Sequence, residues 1–282
     1  MIENRPGLNL LAHLTLMLGV AIVALPVWVA FVASTHTATD FMSGTIPLWP
    51  GPHLVENYAR MLDAGVSTSG TPPVGTMMWN SLVMALLIAC GKIAISITSA
   101  FAIVYFRFRF RMVAFWAIFM TLMLPVEVRI VPTFQVVAGM GLLNSYAGLV
   151  VPLIASATAT FLYRQVFLSI PEEMLEAARM DGAGPLKFLW DIVIPLTRTS
   201  TAALFVILFV YGWNQYLWPL LVTTQPDYYT VVMGIQRIAR AVDSEPVWNL
   251  VMGVAVMAML PPVIVVVAMQ KLFVRGLTET EK

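Results

Sequence analysis

Residues 169–198 read SIPEEMLEAARMDGAGPLKFLWDIVIPLTR and form the one long polar stretch between two hydrophobic runs. Its eight charged side chains are Glu172, Glu173, Glu176, Arg179, Asp181, Lys187, Asp191 and Arg198. Because charges are costly to leave unpartnered in hydrocarbon, this stretch is predicted to lie in water or against another protein. It decides the fold, since the chain on either side of it is apolar enough to sit in lipid.

The polar stretch has the pattern of two short helices with a bend between them. Ser169 and Pro171 before Glu172 form a helix-start signal, with a capping residue, a proline in the first turn and acids near the positive helix end. The GAGP run at 182–185 predicts that this helix ends there. Apolar residues at helical spacing then predict a second helix over 186–194, which the next proline stops.

The composition places the whole chain in the membrane class. Of its 282 residues, 59% are hydrophobic and 11% are charged, and the mean hydropathy is +0.83. Apolar runs of about 20 residues recur, each long enough for a helix to cross about 30 Å of hydrocarbon. The net charge of +1 offers no electrostatic footprint for nucleic acid.

We predict an all-α membrane protein in which residues 1–282 form a single transmembrane domain. Its six spans are expected at 10–33, 77–106, 112–137, 146–167, 199–222 and 248–273. The first run is too long for a signal peptide and lacks a cleavage pattern, so it is interpreted as a retained helix. An outer segment, 34–76, joins the first two spans, and helical spacing within it predicts a helix over 54–62.

Lysine and arginine in the loops predict the orientation. Eleven of them lie on the side of the polar stretch and the termini: Arg5, Arg107, Arg109, Arg111, Arg164, Arg179, Lys187, Arg198, Lys271, Arg275 and Lys282. Three lie on the other side: Arg60, Arg237 and Arg240. Because cytoplasmic loops carry the excess of positive charge, both termini and residues 169–198 are predicted to be cytoplasmic.

No enzyme motif accompanies these spans. His13, His36 and His53 are not spaced like metal ligands, and neither a phosphate-binding loop nor a hydrolase signature occurs. The single cysteine, Cys90, lies in an apolar run and is interpreted as a buried, inert thiol. We therefore predict that the chain is not an enzyme, has no ATPase site of its own, and binds neither a metal nor a cofactor.

Three ionisable residues fall within predicted spans, namely Lys92 in the second, and Glu127 and Arg129 in the third. A charge at the bilayer centre costs about 2.5–3.5 kcal/mol on insertion scales, so such residues normally face a partner or a water-filled path. One interpretation is a translocation path in which Arg129 or Lys92 attracts an anionic solute. The other is structural, with Glu127 paired to Lys92 or to a neighbouring chain. The sequence leaves both open.

The fifth span ends in YGWNQYLWPLL, residues 211–221. Its aromatic side chains predict a belt at the outer membrane interface, formed by Tyr211, Trp213, Tyr216 and Trp218. The alternative is a contribution to the solute path, in which aromatic rings such as Trp213 stack on the solute and Asn214 forms a hydrogen bond to it.

The polar stretch resembles the EAA signature of ABC importer permeases at Glu176-Ala177-Ala178, Asp181-Gly182-Ala183 and Pro195. In that family the signature lies in the cytoplasmic loop before the penultimate span and forms a short coupling helix that docks on an ATPase subunit. The resemblance thus assigns ATPase coupling to Glu176, Ala177, Ala178, Asp181, Gly182, Ala183 and Pro195. The remaining chain resembles the carbohydrate-importer branch at Asn57-Tyr58, Asn80-Ser81, Pro125, Pro132 and Trp213-Asn214.

The resemblance implies a type I ABC importer permease of the bacterial inner membrane that works by alternating access. It implies a second, non-identical permease subunit, two copies of an ATPase subunit that binds ATP and Mg, a periplasmic solute-binding protein, and contact with membrane lipid. The implied solute is sn-glycerol 3-phosphate, with another sugar or polyol as the alternative. Outside the family, the alternative is a proton-driven secondary transporter with Glu127 as the relay.

Overall fold

The computed structural model describes residues 6–41, 47–63, 70–121, 126–240 and 247–278. Within them every regular element is helical and no strand occurs. The α-helices are α1 Pro6–Ser34, α2 Leu54–Asp63, α3 Val74–Tyr105, α4 Arg111–Met120, α5 Val126–Gly139, α6 Tyr146–Val150, α7 Ala157–Leu168, α8 Glu172–Met180, α9 Pro185–Phe188, α10 Ile194–Leu196, α11 Arg198–Trp213, α12 Leu217–Val222, α13 Val231–Ala239 and α14 Trp248–Thr278. A π-helical turn, Leu189–Val193, joins α9 to α10.

Three of these helices are long and apolar enough to cross a membrane. They contain the apolar segments Asn9–Ser34, Val74–Tyr105 and Trp248–Gln270. At 1.5 Å per residue, the 32 residues of α3 extend about 48 Å, more than the thickness of a hydrocarbon core. The predicted first, second and sixth spans are therefore confirmed as long apolar helices, with ends displaced by a few residues.

Two of the other predicted spans, the fourth and the fifth, are interrupted. The fourth consists of two helical pieces, Tyr146–Leu153 and Ala157–Leu168, that meet at 49°. Ser156 begins the second piece, since its hydroxyl accepts the Ala159 N–H at 3.3 Å. In the fifth, α11 ends at Trp213 before α12 begins at Leu217. Hydropathy does not register these breaks, because side-chain caps and turns interrupt a helix without making it less apolar.

The predicted third span corresponds to α4 and α5, and residues 122–125 between them lie outside the described part of the chain. Four members of the predicted cytoplasmic charge set also fall where no side chain is described, namely Arg5, Lys271, Arg275 and Lys282.

The chain divides into two compact units, of which the first comprises Met1–Thr76 and Gly234–Leu260. Here the predicted helix over 54–62 is confirmed as α2. Asn57 on α2 donates hydrogen bonds to the carbonyls of Ser34 and His36, each at 2.9 Å. Asn249 donates to the same His36 carbonyl at 2.9 Å. These amides satisfy carbonyls at the end of α1, where the helix itself supplies no donor.

The second unit, Met77–Met233 and Pro261–Lys282, contains two apolar clusters along α3. One surrounds the C-terminal part of α3 and includes Phe101, Phe167 and Phe188. The other surrounds its N-terminal half and includes Met84 and Trp218. One face of α3 packs in these clusters, whereas Cys90 on the same helix is exposed. The predicted burial of Cys90 is therefore wrong, because an apolar helix can present its thiol on a side that no described part of the chain covers.

Candidate functional site

The polar stretch folds as predicted into two helical pieces with a break, although the second piece continues through Pro195 to Leu196 and is not stopped by that proline. The first piece is α8, and the second runs from Pro185 through the π-helical turn to Leu196. The second piece then meets α11 at an angle of 76°. We call the whole of residues 169–198 the coupling segment, after the role that the family resemblance implies.

Gly182 makes the break between the two pieces. Its φ of +73° lies in the left-handed region that side chains disfavour. The Gly182 N–H donates to the Arg179 carbonyl at 3.0 Å, and the Ala183 N–H donates to the Ala178 carbonyl at 2.9 Å. This pair of bonds is a Schellman motif, which ends α8 and satisfies two of its last carbonyls. A Cβ added at Gly182 would meet no atom within 4 Å, so steric space does not require a glycine here. The left-handed backbone conformation does.

Helix α8 is amphipathic, and its acidic face is exposed. Ala178 is buried and Leu175 is half-buried, and both pack in the cluster with Phe101. Glu172, Glu173, Glu176, Ala177, Asp181 and Gly182 are exposed, whereas Ala183 and Pro195 are half-buried. The structure thus brings six of the seven predicted coupling residues together at the end of α8, and places Pro195 further along, in α10.

Ser169 does not cap α8. It lies at the C-terminal end of α7, where its hydroxyl donates to the Val166 carbonyl at 2.7 Å. Pro171, in an extended conformation (φ −56°, ψ 138°), directly precedes α8. The prediction for Ser169 is therefore wrong, because a serine between two helices can satisfy either end and the sequence does not show which.

Phe188 anchors the coupling segment to the rest of the second unit. It is 2% exposed, with its ring centroid 6.3 Å from that of Phe101 and 5.1 Å, edge-on, from that of Tyr105. The Tyr105 hydroxyl in turn donates to the Phe167 carbonyl at 3.2 Å. A displacement of the segment would therefore be passed to α3 and α7, since closely packed rings leave little room for independent movement.

A cavity of about 140 Å³ inside the second unit brings together two of the cations predicted for a solute path. Lys92 on α3 is 7% exposed, and its Nζ lies 3.9 Å from the ring centroid of Tyr211. Arg129 on α5 lines the same cavity, together with the polar side chains of Thr133 and Gln215. Within the described part of the chain, no carboxylate forms an ion pair with either cation. The Glu127 side chain lies outside that part.

Sequence reasoning did not find Thr133 or the contact that Tyr211 makes. A signal was present for one pair, because Arg129 and Thr133 are four residues apart in α5, and this spacing places them on one face of the helix. What the spacing does not show is that this face lies beside Lys92 on α3 and Tyr211 on α11.

The other predicted path residues lie elsewhere. Trp213 is 2% exposed and its ring stacks on Phe209 at 6.0 Å, whereas Asn214 is exposed at the end of α11. Trp218 is also buried, with its indole N–H donating to the Gly148 carbonyl at 3.0 Å. The predicted interface belt is wrong for Trp213 and Trp218, because both rings are enclosed by neighbouring helices.

The fold and the coupling segment define a class of protein, the permease subunits of ABC importers. Residues 92–279 match the family described as binding-protein-dependent transport system inner membrane component. The chain belongs to this family, whose members are transport subunits that leave ATP hydrolysis to a separate ATPase subunit. The predicted resemblance and the absence of an enzymatic role are thereby confirmed.

Two relatives match over the full length of both chains. The chain is 55% identical to the sn-glycerol-3-phosphate transport system permease protein UgpE of Brucella melitensis biotype 1. It is 52% identical to the protein of the same name from Yersinia pestis bv. Antiqua. Among solved structures, a bacterial ABC transporter involved in the import of the acidic polysaccharide alginate superposes with a TM-score of 0.80 at 21% identity, covering 96% of this chain and 98% of that one. This likeness confirms the type I permease fold.

Proposed function

We propose that this chain is a permease subunit of an ATP-driven importer that moves sn-glycerol 3-phosphate across the bacterial inner membrane. The observation that carries the proposal is the 55% identity along the whole of both chains with a relative named for that solute. Because the alignment covers both chains completely, it includes the helices proposed to form the translocation path as well as the coupling segment. Another sugar or polyol is the alternative solute.

The proposed topology is a single transmembrane domain of six spans with both termini in the cytoplasm. The loop charges support the orientation. In this proposal the six spans are the three long helices, the bent pair α6–α7, α11 with α12, and α4 with α5. Exposed apolar side chains along α1, such as Leu16 at 67% and Val23 at 76%, fit contact with lipid or with a second permease.

The proposed partners are a second, non-identical permease, two copies of an ATPase subunit that binds ATP and Mg, and a periplasmic solute-binding protein. The coupling segment supports the ATPase contact because it exposes large apolar side chains beside its acids. Met180 is 85% exposed, Leu186 71% and Trp190 65%. Exposed apolar side chains beside charged ones are typical of a protein interface. Among the described residues, no group of three or more His, Cys, Asp or Glu could hold a metal ion.

In the proposed mechanism, closure of the ATPase subunits displaces α8, with Glu176 meeting a basic side chain of the ATPase. The displacement reaches α3 through Ala178 and Phe188, which pack on Phe101. The spans then tilt to open the path alternately to the two sides of the membrane. The proposed path includes Lys92, Glu127, Arg129, Trp213 and Asn214.

The test is uptake by the complete complex in proteoliposomes, with labelled sn-glycerol 3-phosphate compared with a labelled neutral sugar. We expect uptake of the phosphate ester that requires ATP and the solute-binding protein. Uptake of the sugar alone would contradict the proposed solute. Uptake by this chain without the ATPase, driven by a proton gradient, would instead support a secondary transporter.

A further inference from the structure

The cavity around Lys92 holds two positive charges that nothing described in the chain neutralises. Lys92 is 93% buried, and the contact that its ammonium makes is with the Tyr211 ring, 3.9 Å away. Arg129, which is itself exposed, lines the same space, and among the described residues neither cation has a carboxylate partner. A buried charge without a partner is unfavourable, and a second charge of the same sign makes it more so. The described residues of this cavity therefore supply two cations and no anion, which suits an anionic ligand.

The remaining polar groups of the cavity fit hydroxyls. The Thr133 hydroxyl donates to the Arg129 carbonyl at 2.7 Å, which leaves its oxygen free to accept. Gln215 donates through Nε2 to the Tyr211 carbonyl at 3.1 Å, so its Oε1 is available to accept from a hydroxyl. Pro152, Leu153 and Leu217 supply apolar walls for a short carbon chain. The space, about 140 Å³, is of a size that suits a small solute.

We propose that Lys92 and Arg129 of this subunit bind the phosphate of a small phosphorylated polyol, with Gln215 and Thr133 facing its hydroxyls. A phosphate monoester carries close to two negative charges at neutral pH, which matches the two cations. This inference rests on the proposed function and deepens it. It assigns a solute site within the membrane to this permease, in addition to recognition by the solute-binding protein.

Tyr211 has a definite part in this site. Its ring face attracts the Lys92 ammonium when no solute is present, which keeps the charge inside the cavity. A phosphate oxygen forms a stronger, charge-assisted hydrogen bond with the same ammonium, so an arriving solute can displace the ring. Tyr211 is thus a positioning residue for Lys92.

The experiment uses the complete complex in proteoliposomes and measures two quantities, uptake of glycerol 3-phosphate and ATPase activity stimulated by the loaded solute-binding protein. For Lys92→Met and Arg129→Gln we expect uptake to fall about tenfold or more, since each loses a hydrogen bond between charged groups. The stimulated ATPase activity is expected to stay at the wild-type level. Lys92→Arg, which keeps the charge, should retain most of the uptake. Arg109→Gln is the matched control, because Arg109 is exposed between α3 and α4.

A second measurement is a ratio of two uptake rates on the same preparation, so the amount of folded variant cancels. It compares uptake of the monoester, close to a dianion, with uptake of a glycerophosphodiester, which carries one negative charge. Arg129→Gln should lower the ratio of monoester to diester uptake, because it removes one of the two cations. An unchanged ratio, or an ATPase activity that falls in step with uptake, overturns the proposal.

Failure of this site and failure of the proposed function give different results. If the wild-type complex takes up glycerol 3-phosphate and both variants match it, the site proposal alone is contradicted. If the wild-type complex imports a neutral sugar and no phosphate ester, the proposed function is contradicted and the site proposal with it.

Discussion

The coupling segment and the cavity around Lys92 place charged side chains in opposite surroundings. The segment exposes its acids, including Glu176 and Asp181, at the surface of the chain. The cavity encloses Lys92, and no described carboxylate pairs with it. Exposed charges are stable in water and remain available to another protein, whereas a buried unpaired charge is unfavourable until a ligand arrives. Burial, more than charge, therefore separates the surface proposed to contact a partner from the site proposed to bind a solute.

The same helix connects the two regions. Phe101, which packs against Phe188 of the coupling segment, lies nine residues after Lys92 on α3. At 1.5 Å per residue this is about 14 Å along the helix. A tilt of α3 started at the coupling segment would therefore also move Lys92. If this connection is correct, the two regions should respond differently to substitution, and four predictions test the difference.

The largest effect is expected for Phe188→Ala. Removing a buried ring costs about 3–5 kcal/mol, and here it also removes the link between the coupling segment and α3. We expect a lower unfolding temperature in detergent, together with loss of uptake. The matched control is Phe110→Ala, because Phe110 is 62% exposed. Equal unfolding temperatures for the two variants would contradict the anchor.

Glu176→Lys should act on the partner surface without changing stability. Glu176 is exposed and makes no ion pair with a described residue, so the unfolding temperature should stay the same. Reversing its charge at a docked interface should cost about 2 kcal/mol or more, which lowers uptake about thirtyfold. The stimulated ATPase activity should fall in parallel, in contrast to the variants of Lys92 and Arg129. Asp63→Lys, at the exposed end of α2, is the control.

Gly182→Ala tests the break in the coupling segment. An alanine at φ +73° should cost about 1–2 kcal/mol from backbone strain. Gly184→Ala is the matched control, because Gly184 has a φ of −69° that alanine adopts readily. We expect Gly184→Ala to be neutral or stabilising by about 0.4–1 kcal/mol. Thermal unfolding of both variants is the measurement, and equal destabilisation would show that the break does not depend on a left-handed residue.

The smallest effect is expected for Tyr211→Phe. This variant keeps the ring that contacts Lys92, so uptake should remain near the wild-type level. Tyr211→Leu loses the cation–π contact, worth about 0.5–2 kcal/mol, and uptake should fall by a corresponding two- to thirtyfold. If the phenylalanine variant is as impaired as the leucine variant, the hydroxyl matters and the ring contact does not explain the site.

Several errors of the sequence-based predictions have one physical origin. Ser169 caps α7 and not α8, Cys90 is exposed, and Trp218 is buried. In each case the residue type and its local pattern fit two environments equally well. The choice between them depends on which neighbouring helix occupies the space, and this information is spread over the whole chain.

The sequence by itself determined the membrane class, the long apolar helices α1, α3 and α14, and the break at Gly182. These features depend on local properties, namely hydropathy over about 20 residues and the backbone freedom of one glycine. The EAA pattern, spread over residues 176–195, also identified the family. Only the tertiary structure decided that Lys92, Arg129, Tyr211 and Gln215 line one cavity. Lys92 comes from α3, Arg129 from α5, and Tyr211 and Gln215 from the end of α11 and the turn that follows it. Their meeting results from packing between segments that are distant in sequence, which no local pattern records.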